Sequence, residues 1–160
     1  MASCSLRAEE LVDQFESSCA VARPKNQSSL GPYIYTPLCD PSKEFRLVTL
    51  HPGRAENNDI ECSLQHGHLS DHTEFEALSY AWGDQIEKHT IMLDKHSFEV
   101  TSNLAHALRN LRNVGPSNHI GRVFWIDAIC INQEDVTECN DQVRRMDIIY
   151  TRASQVVVWL

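Results

Sequence analysis

The chain has 160 residues, of which 42% are hydrophobic and 22% charged, with 14 basic against 22 acidic side chains and a net charge of −8. That size fits one domain, or one domain with an arm. The acidic balance argues against a general nucleic-acid or anionic-membrane binder, which needs a basic face, and no apolar run approaches the roughly 20 residues that span a bilayer.

The first 32 residues read as an arm. MASCSLRAEELVDQFESSCAVA lacks the basic start and continuous apolar core of a secretory signal. Leu11, Phe15 and Cys19 share one side of a short helix over residues 8–20. The stretch ARPKNQSSLGPY then has the Pro, Gly, Ser and Asn content of a linker. A poorly ordered terminus is the simplest reading. Six cysteines, at 4, 19, 39, 62, 130 and 139, contain no CxxC. In a chain of this size they fit a reduced, cytoplasmic protein better than a disulfide scaffold.

From Tyr33 the texture changes, and the domain is expected over 33–160. Phe45–Leu50 (FRLVTL) reads as a strand that ends at His51-Pro52-Gly53. Ile60–Leu64 is a second short strand, and Phe75–Trp82 a third that stops at Gly83-Asp84. HGHLSDH places His66, His68 and His72 close together, but at no standard zinc spacing, so it reads as a surface loop with no metal. His89–Leu93 and Ser97–Val100 flank the polar turn Asp94-Lys95-His96 and predict a hairpin. Thr101 or Ser102 caps a helix that carries Leu104, Leu108 and Leu111 on one face and ends at Gly115-Pro116. Val123–Asp127 is a buried strand. Glu138–Arg152 is the longest helical signal, with Cys139, Val143, Met146, Tyr150 and Ala153 on one predicted buried face. Gln155–Leu160 (QVVVWL) is another continuous apolar strand.

Apolar strands that alternate with amphipathic helices predict an α/β fold. Ala77–Ala81, Val123–Asp127 and Val156–Leu160 should run parallel in one sheet flanked by helices. The N-terminal strands and the hairpin add antiparallel neighbours. In such sheets the ligand-contacting polar groups collect at the carboxyl edge. Ser79-Tyr80-Ala81-Trp82-Gly83-Asp84 and Asp127 to Asp135 should therefore share one cleft.

Each candidate there has a structural alternative. Asp127 is a ligand anchor, an acid or base, or a loop cap that accepts backbone N–H bonds. Asn132 and Gln133 either read a ligand or tie their own loop. Cys130, between Ile129 and Ile131, reads as packing rather than as a nucleophile. Gly83 permits a positive φ or close backbone approach. Glu138 complements a helix N-terminus. The motifs GxGxxG, GxxxxGK[ST], HExxH and GxSxG are absent.

FEALSYAWGD (Phe75–Asp84), VTSNLAHALRNLR (Val100–Arg112), FWIDAICINQED (Phe124–Asp135) and QVRRMDIIYTRASQVVVWL (Gln142–Leu160) are together similar, in type and order, to the fungal heterokaryon-incompatibility (HET) domain. YTPLCDPSKEFRLVTLHPG and IECSL resemble its lead-in, so the resemblance covers about Tyr35 to Leu160. It implies a role in fungal non-self recognition, in which such modules trigger growth arrest and cell death once a partner switches them on. Protein partners, an activating receptor or an incompatibility partner, are expected to follow from it, with self-association as a further option. The domain is also thought to resemble the TIR domain distantly, which implies a flavodoxin/TIR-like sheet and makes NAD the candidate cofactor.

Within the resemblance Ser79, Tyr80, Trp82, Gly83 and Asp84 match the first motif. Asp127, Cys130, Asn132 and Gln133 match the second, and Glu138, Gln142, Met146 and Tyr150 the third. These positions are the implied ligand or assembly site, with no catalytic residue assigned. Cys139 follows Glu138 where the family commonly has an arginine. The Trp- and Glu-containing segment expected beyond VVVWL, which by analogy holds the candidate catalytic glutamate, lies outside the chain. The sequence is thus expected to be a truncated module that acts by protein contacts, with an exposed apolar edge. A TIR-like nucleotide hydrolase, inactive in this form, is the alternative.

Overall fold

The computed structural model describes residues 30–53, 59–83, 86–112 and 121–160. The expected helix over 8–20 and the ends at Asp84 and Gly115-Pro116 fall outside them.

Seven strands form one sheet. They are β1 (Glu44–Leu50), β2 (Glu61–His68), β3 (Glu76–Tyr80), β4 (Lys88–Leu93), β5 (His96–Thr101), β6 (Arg122–Trp125) and β7 (Gln155–Trp159), in the spatial order β5-β4-β2-β1-β6-β3-β7. The three strands expected to be parallel are so. β3 pairs parallel with β6 on one side, Ala77 opposite Trp125, and with β7 on the other, Ala77 opposite Val156. Beyond β6 the sheet turns antiparallel, β1 pairing with both β6 and β2. Further out β2 pairs parallel with β4, and β4 antiparallel with β5, so the sheet is mixed.

Local chemistry explains the elements. Asp94 and Lys95 both have positive φ, 49° and 68°, which makes the two-residue turn whose twist matches a hairpin. Leu93 and His96 close it, so His96 belongs to β5 rather than to the turn. Thr101 caps helix α1 (Ser102–Leu111) by accepting from the Leu104 backbone N–H, and Leu104, Leu108 and Leu111 are buried as the periodicity predicts. β1 lies mid-sheet, so Phe45, Leu47, Val48 and Leu50 are all buried. Leu30, which the sequence assigns to the arm, and Tyr33, the first residue of the expected domain, hydrogen-bond beside β5. Leu30 N donates to Lys95 O at 3.1 Å and Tyr33 N to Ser97 O at 3.0 Å.

Two expectations are corrected. The long helix expected over 138–152 is broken into two. Helix α3 (Val136–Val143) and helix α4 (Met146–Arg152) meet at Arg144-Arg145. The break follows from docking to different strands. Gln142 Nε2 donates to Glu44 O of β1 at 3.0 Å, whereas the Tyr150 hydroxyl donates to Leu78 O of β3 at 3.3 Å. The buried positions are Glu138, Gln142 and Ile149, while Val143 is exposed. Cys139, Met146, Tyr150 and Ala153 of the predicted face are partly buried against the core, so Val143 is the departure, and two polar side chains are anchored deeper.

The second correction concerns β7. An apolar run predicts cover on both faces, yet β7 is an edge strand with Val156, Val158 and Leu160 exposed.

Gly121 opens β6 with φ +88°, and a Cβ there would lie 2.8 Å from the Leu50 carbonyl oxygen of β1. Gly121→Ala should cost about 2–3 kcal/mol from the left-handed backbone and the forced displacement of β1. Chemical denaturation of the variant, with an unchanged midpoint as the contrary result, checks this.

Candidate functional site

The two polar tips expected to share a cleft do so. β3 and β6 lie side by side, and beyond their carboxyl ends Trp82 Nε1 donates to Asp127 Oδ2 at 3.1 Å. Asp127 begins helix α2 (Asp127–Cys130), a single turn where the sequence suggests a loop. Its other oxygen accepts from Ala128 N at 2.7 Å. Asp127 thus caps its loop, as one of its two readings expected, and also holds Trp82. Gly83 follows Trp82 with φ +66°, a turn that glycine takes without steric cost.

The rest of the loop is tied to itself. Asn132 Oδ1 accepts from Glu134 N at 3.2 Å. Gln133 Nε2 donates to the Asp127 carbonyl at 3.1 Å. Asp135 caps α3 by accepting from the backbones of Thr137 and Glu138. Cys130 is fully buried, and burial pushes its thiol up to about 12. A neutral thiol packed in the core is no nucleophile, so it belongs to the packing.

Glu138 carries more than a helix-dipole role. It is 5% exposed and faces Arg46 of β1, itself 1% exposed, in a bidentate pair. Glu138 Oε1 also accepts from Asn132 N at 2.8 Å. Arg46 Nη1 also donates to Cys130 O at 3.1 Å and Nη2 to Thr36 O at 2.8 Å, while the buried Nε has no hydrogen-bond partner. This pair fastens the N-terminal segment, β1, the α2 turn and α3 to one point. Glu138 lies beneath the site as scaffold, not in it.

A groove of about 680 Å³ opens above this scaffold. Tyr80, Trp82, Asn132 and Gln133 line it, and Tyr33, Tyr35 and Phe98 join them from the N-terminal segment and β5. Tyr35 is held by its hydroxyl, which donates to Ile129 O at 2.8 Å, and its ring lies under the Arg46 guanidinium at 5.0 Å. The Tyr80 hydroxyl is buried without a hydrogen-bond partner. Burial, and then the nearby Asp127 carboxylate, push it well above the usual phenol range. It stays neutral, and its ring faces the groove.

Of the residues singled out in the sequence, Tyr80, Trp82, Asn132 and Gln133 line the groove, with Asp127 bonded to Trp82. Ser79 is half-buried on β3 and does not line it, and Asp84 falls outside the described residues. Three partners escaped sequence reading. Tyr33 and Tyr35 alternate before Pro37, a strand-like pattern at the start of the expected domain. Arg46 is the lone charge between Phe45 and Leu47 in the apolar run of β1. Asn103, in the first turn of α1, donates from Nδ2 to Ala81 O at 2.6 Å and accepts from Trp159 Nε1 at 3.0 Å. It thereby links the tips of β3 and β7. No group of three metal-ligating side chains occurs among the described residues, His66, His68 and His72 included. No helix there is long and apolar enough to cross a membrane.

Fold and site together define a mixed α/β module with a preformed aromatic groove at the carboxyl edge of its parallel strands. The sequence model of the heterokaryon incompatibility protein (HET) family matches residues 75–160. A curated relative, heterokaryon incompatibility protein 6, OR allele, from Neurospora crassa, is 39% identical over 141 residues, an alignment that covers 82% of this chain and 21% of the relative. No solved structure matches. The chain belongs to the heterokaryon incompatibility (HET) family, and it spans about a fifth of the length of that relative.

Proposed function

We propose that this chain is an effector module of fungal heterokaryon incompatibility, which promotes cell death through protein–protein contacts made around the carboxyl-edge groove. The observation that carries the reading is the family match over residues 75–160, whose motifs converge on the Trp82–Asp127 bond. An activating partner in the cytoplasm fits a module that spans a small part of its relative. The exposed β7 edge offers a further surface for protein contact or self-association.

The test is expression of the chain within a full-length family member in a fungus, with cell viability as the readout. Asp127→Ala and Trp82→Ala are each expected to abolish killing at unchanged protein level. Full killing by a folded double variant would remove both residues from the site.

The position of the groove favours a second reading, since open α/β sheets bind nucleotides at the carboxyl edge. By that reading the module is a TIR-like enzyme that cleaves NAD. Among the described residues Lys88 is the one cationic side chain lining the groove, against Glu99 and Glu134, so a diphosphate would meet net negative charge there. Incubation with NAD is therefore expected to release no nicotinamide. Release above the level of an Asp127→Ala control would favour the enzyme.

A further inference from the structure

The rings and the rim of the groove define a binding chemistry that the incompatibility reading does not require. Tyr33, Tyr35 and Phe98 pack edge to face, with centroids 5.1–6.2 Å apart. Tyr80 and Trp82 add two further rings from the β3 side. Trp82 is 38% exposed. Its N–H donates to the Asp127 carboxylate, which shifts electron density into the indole and makes its face a better partner for positive charge.

The charges agree in sign. Among the described residues Glu99 and Glu134 line the groove against Lys88 alone, and Lys88 lies 3.5 Å from Glu99. The rim is therefore net negative, with Asp127 directly behind Trp82. Arg46 sits against Tyr35 but does not line the groove, and Glu138 offsets its charge. The whole chain, at −8, adds a field of the same sign.

A space of about 680 Å³ is of small-molecule size. Among the described residues, an anion entering it would meet two carboxylates against one lysine. A neutral apolar molecule would use the rings and leave the rim charge idle. A cation uses both, through ring faces and counter-charges. We propose that the groove is a binding site for a small organic cation, an alkylated ammonium head seated against the Trp82 face with Glu99 and Glu134 as its counter-charges.

The purified full chain is titrated with choline, with its neutral isostere 3,3-dimethylbutan-1-ol and with adenosine monophosphate, by calorimetry and by NMR of the Trp82 indole N–H. Choline is expected to bind and shift that resonance, and the isostere to bind about tenfold more weakly. Trp82→Ala and Glu99→Gln change exposed positions and should leave the fold intact. They are expected to weaken choline binding about tenfold and about threefold, respectively. No choline binding, equal binding of the isostere, tighter binding of the monophosphate, or choline binding that neither substitution alters would each overturn the proposal. The incompatibility reading is scored on fungal viability and stands or falls separately.

Discussion

Arg46→Ala is expected to lower stability by about 3–5 kcal/mol, because it strands a buried carboxylate. Arg46 and Glu138 are 1% and 5% exposed and share two hydrogen bonds. Without the guanidinium, Glu138 keeps only the Asn132 backbone N–H as a donor in a site that excludes water. Thr36 O and Cys130 O lose their donors as well. The segment carrying Tyr35 and the turn carrying Ala128 should loosen together, and both line the groove. The double variant Arg46→Met, Glu138→Leu removes both charges and should be markedly less costly than Arg46→Ala alone. Urea unfolding of the three proteins measures this. A single variant as stable as the parent would show that the pair is not buried as described.

Trp125→Ala is expected to cost about 3–5 kcal/mol through a core cavity. Trp125 is fully buried at the end of β6, with Tyr150 edge-on at 5.5 Å. Its Nε1 has no hydrogen-bond partner, so Trp125→Phe gives up no bond and should recover most of the loss. Met146→Ala, which periodicity places on the same buried face, should cost less, since Met146 is only partly buried. Thermal melts order the three variants. A Trp125→Ala midpoint equal to that of the parent would contradict the core assignment.

Much of the fold was legible because its signals are local. The hairpin could be read from Asp94-Lys95 between apolar runs, α1 from Thr101 and the spacing of its leucines, and the parallel strands from their continuous apolar character. The meeting of the Trp82 and Asp127 tips followed from one rule about carboxyl edges. The break between α3 and α4 was not legible. Its cause is that Gln142 and Tyr150 dock on different strands, and helical periodicity says nothing about which strand waits opposite. Glu138 resembled a helix-dipole residue for the same reason, since its partner lies 92 positions away.

The sequence by itself determined the element types, the α/β class, the parallel trio and the polar edge, because each depends on patterns a few residues long. Only the tertiary structure decided that Arg46 and Glu138 meet, that Tyr33, Tyr35 and Phe98 complete a groove with Tyr80 and Trp82, and that β7 stands at an open edge. Those outcomes rest on strand order and on side chains brought together across the chain, and short-range patterning carries no information about either.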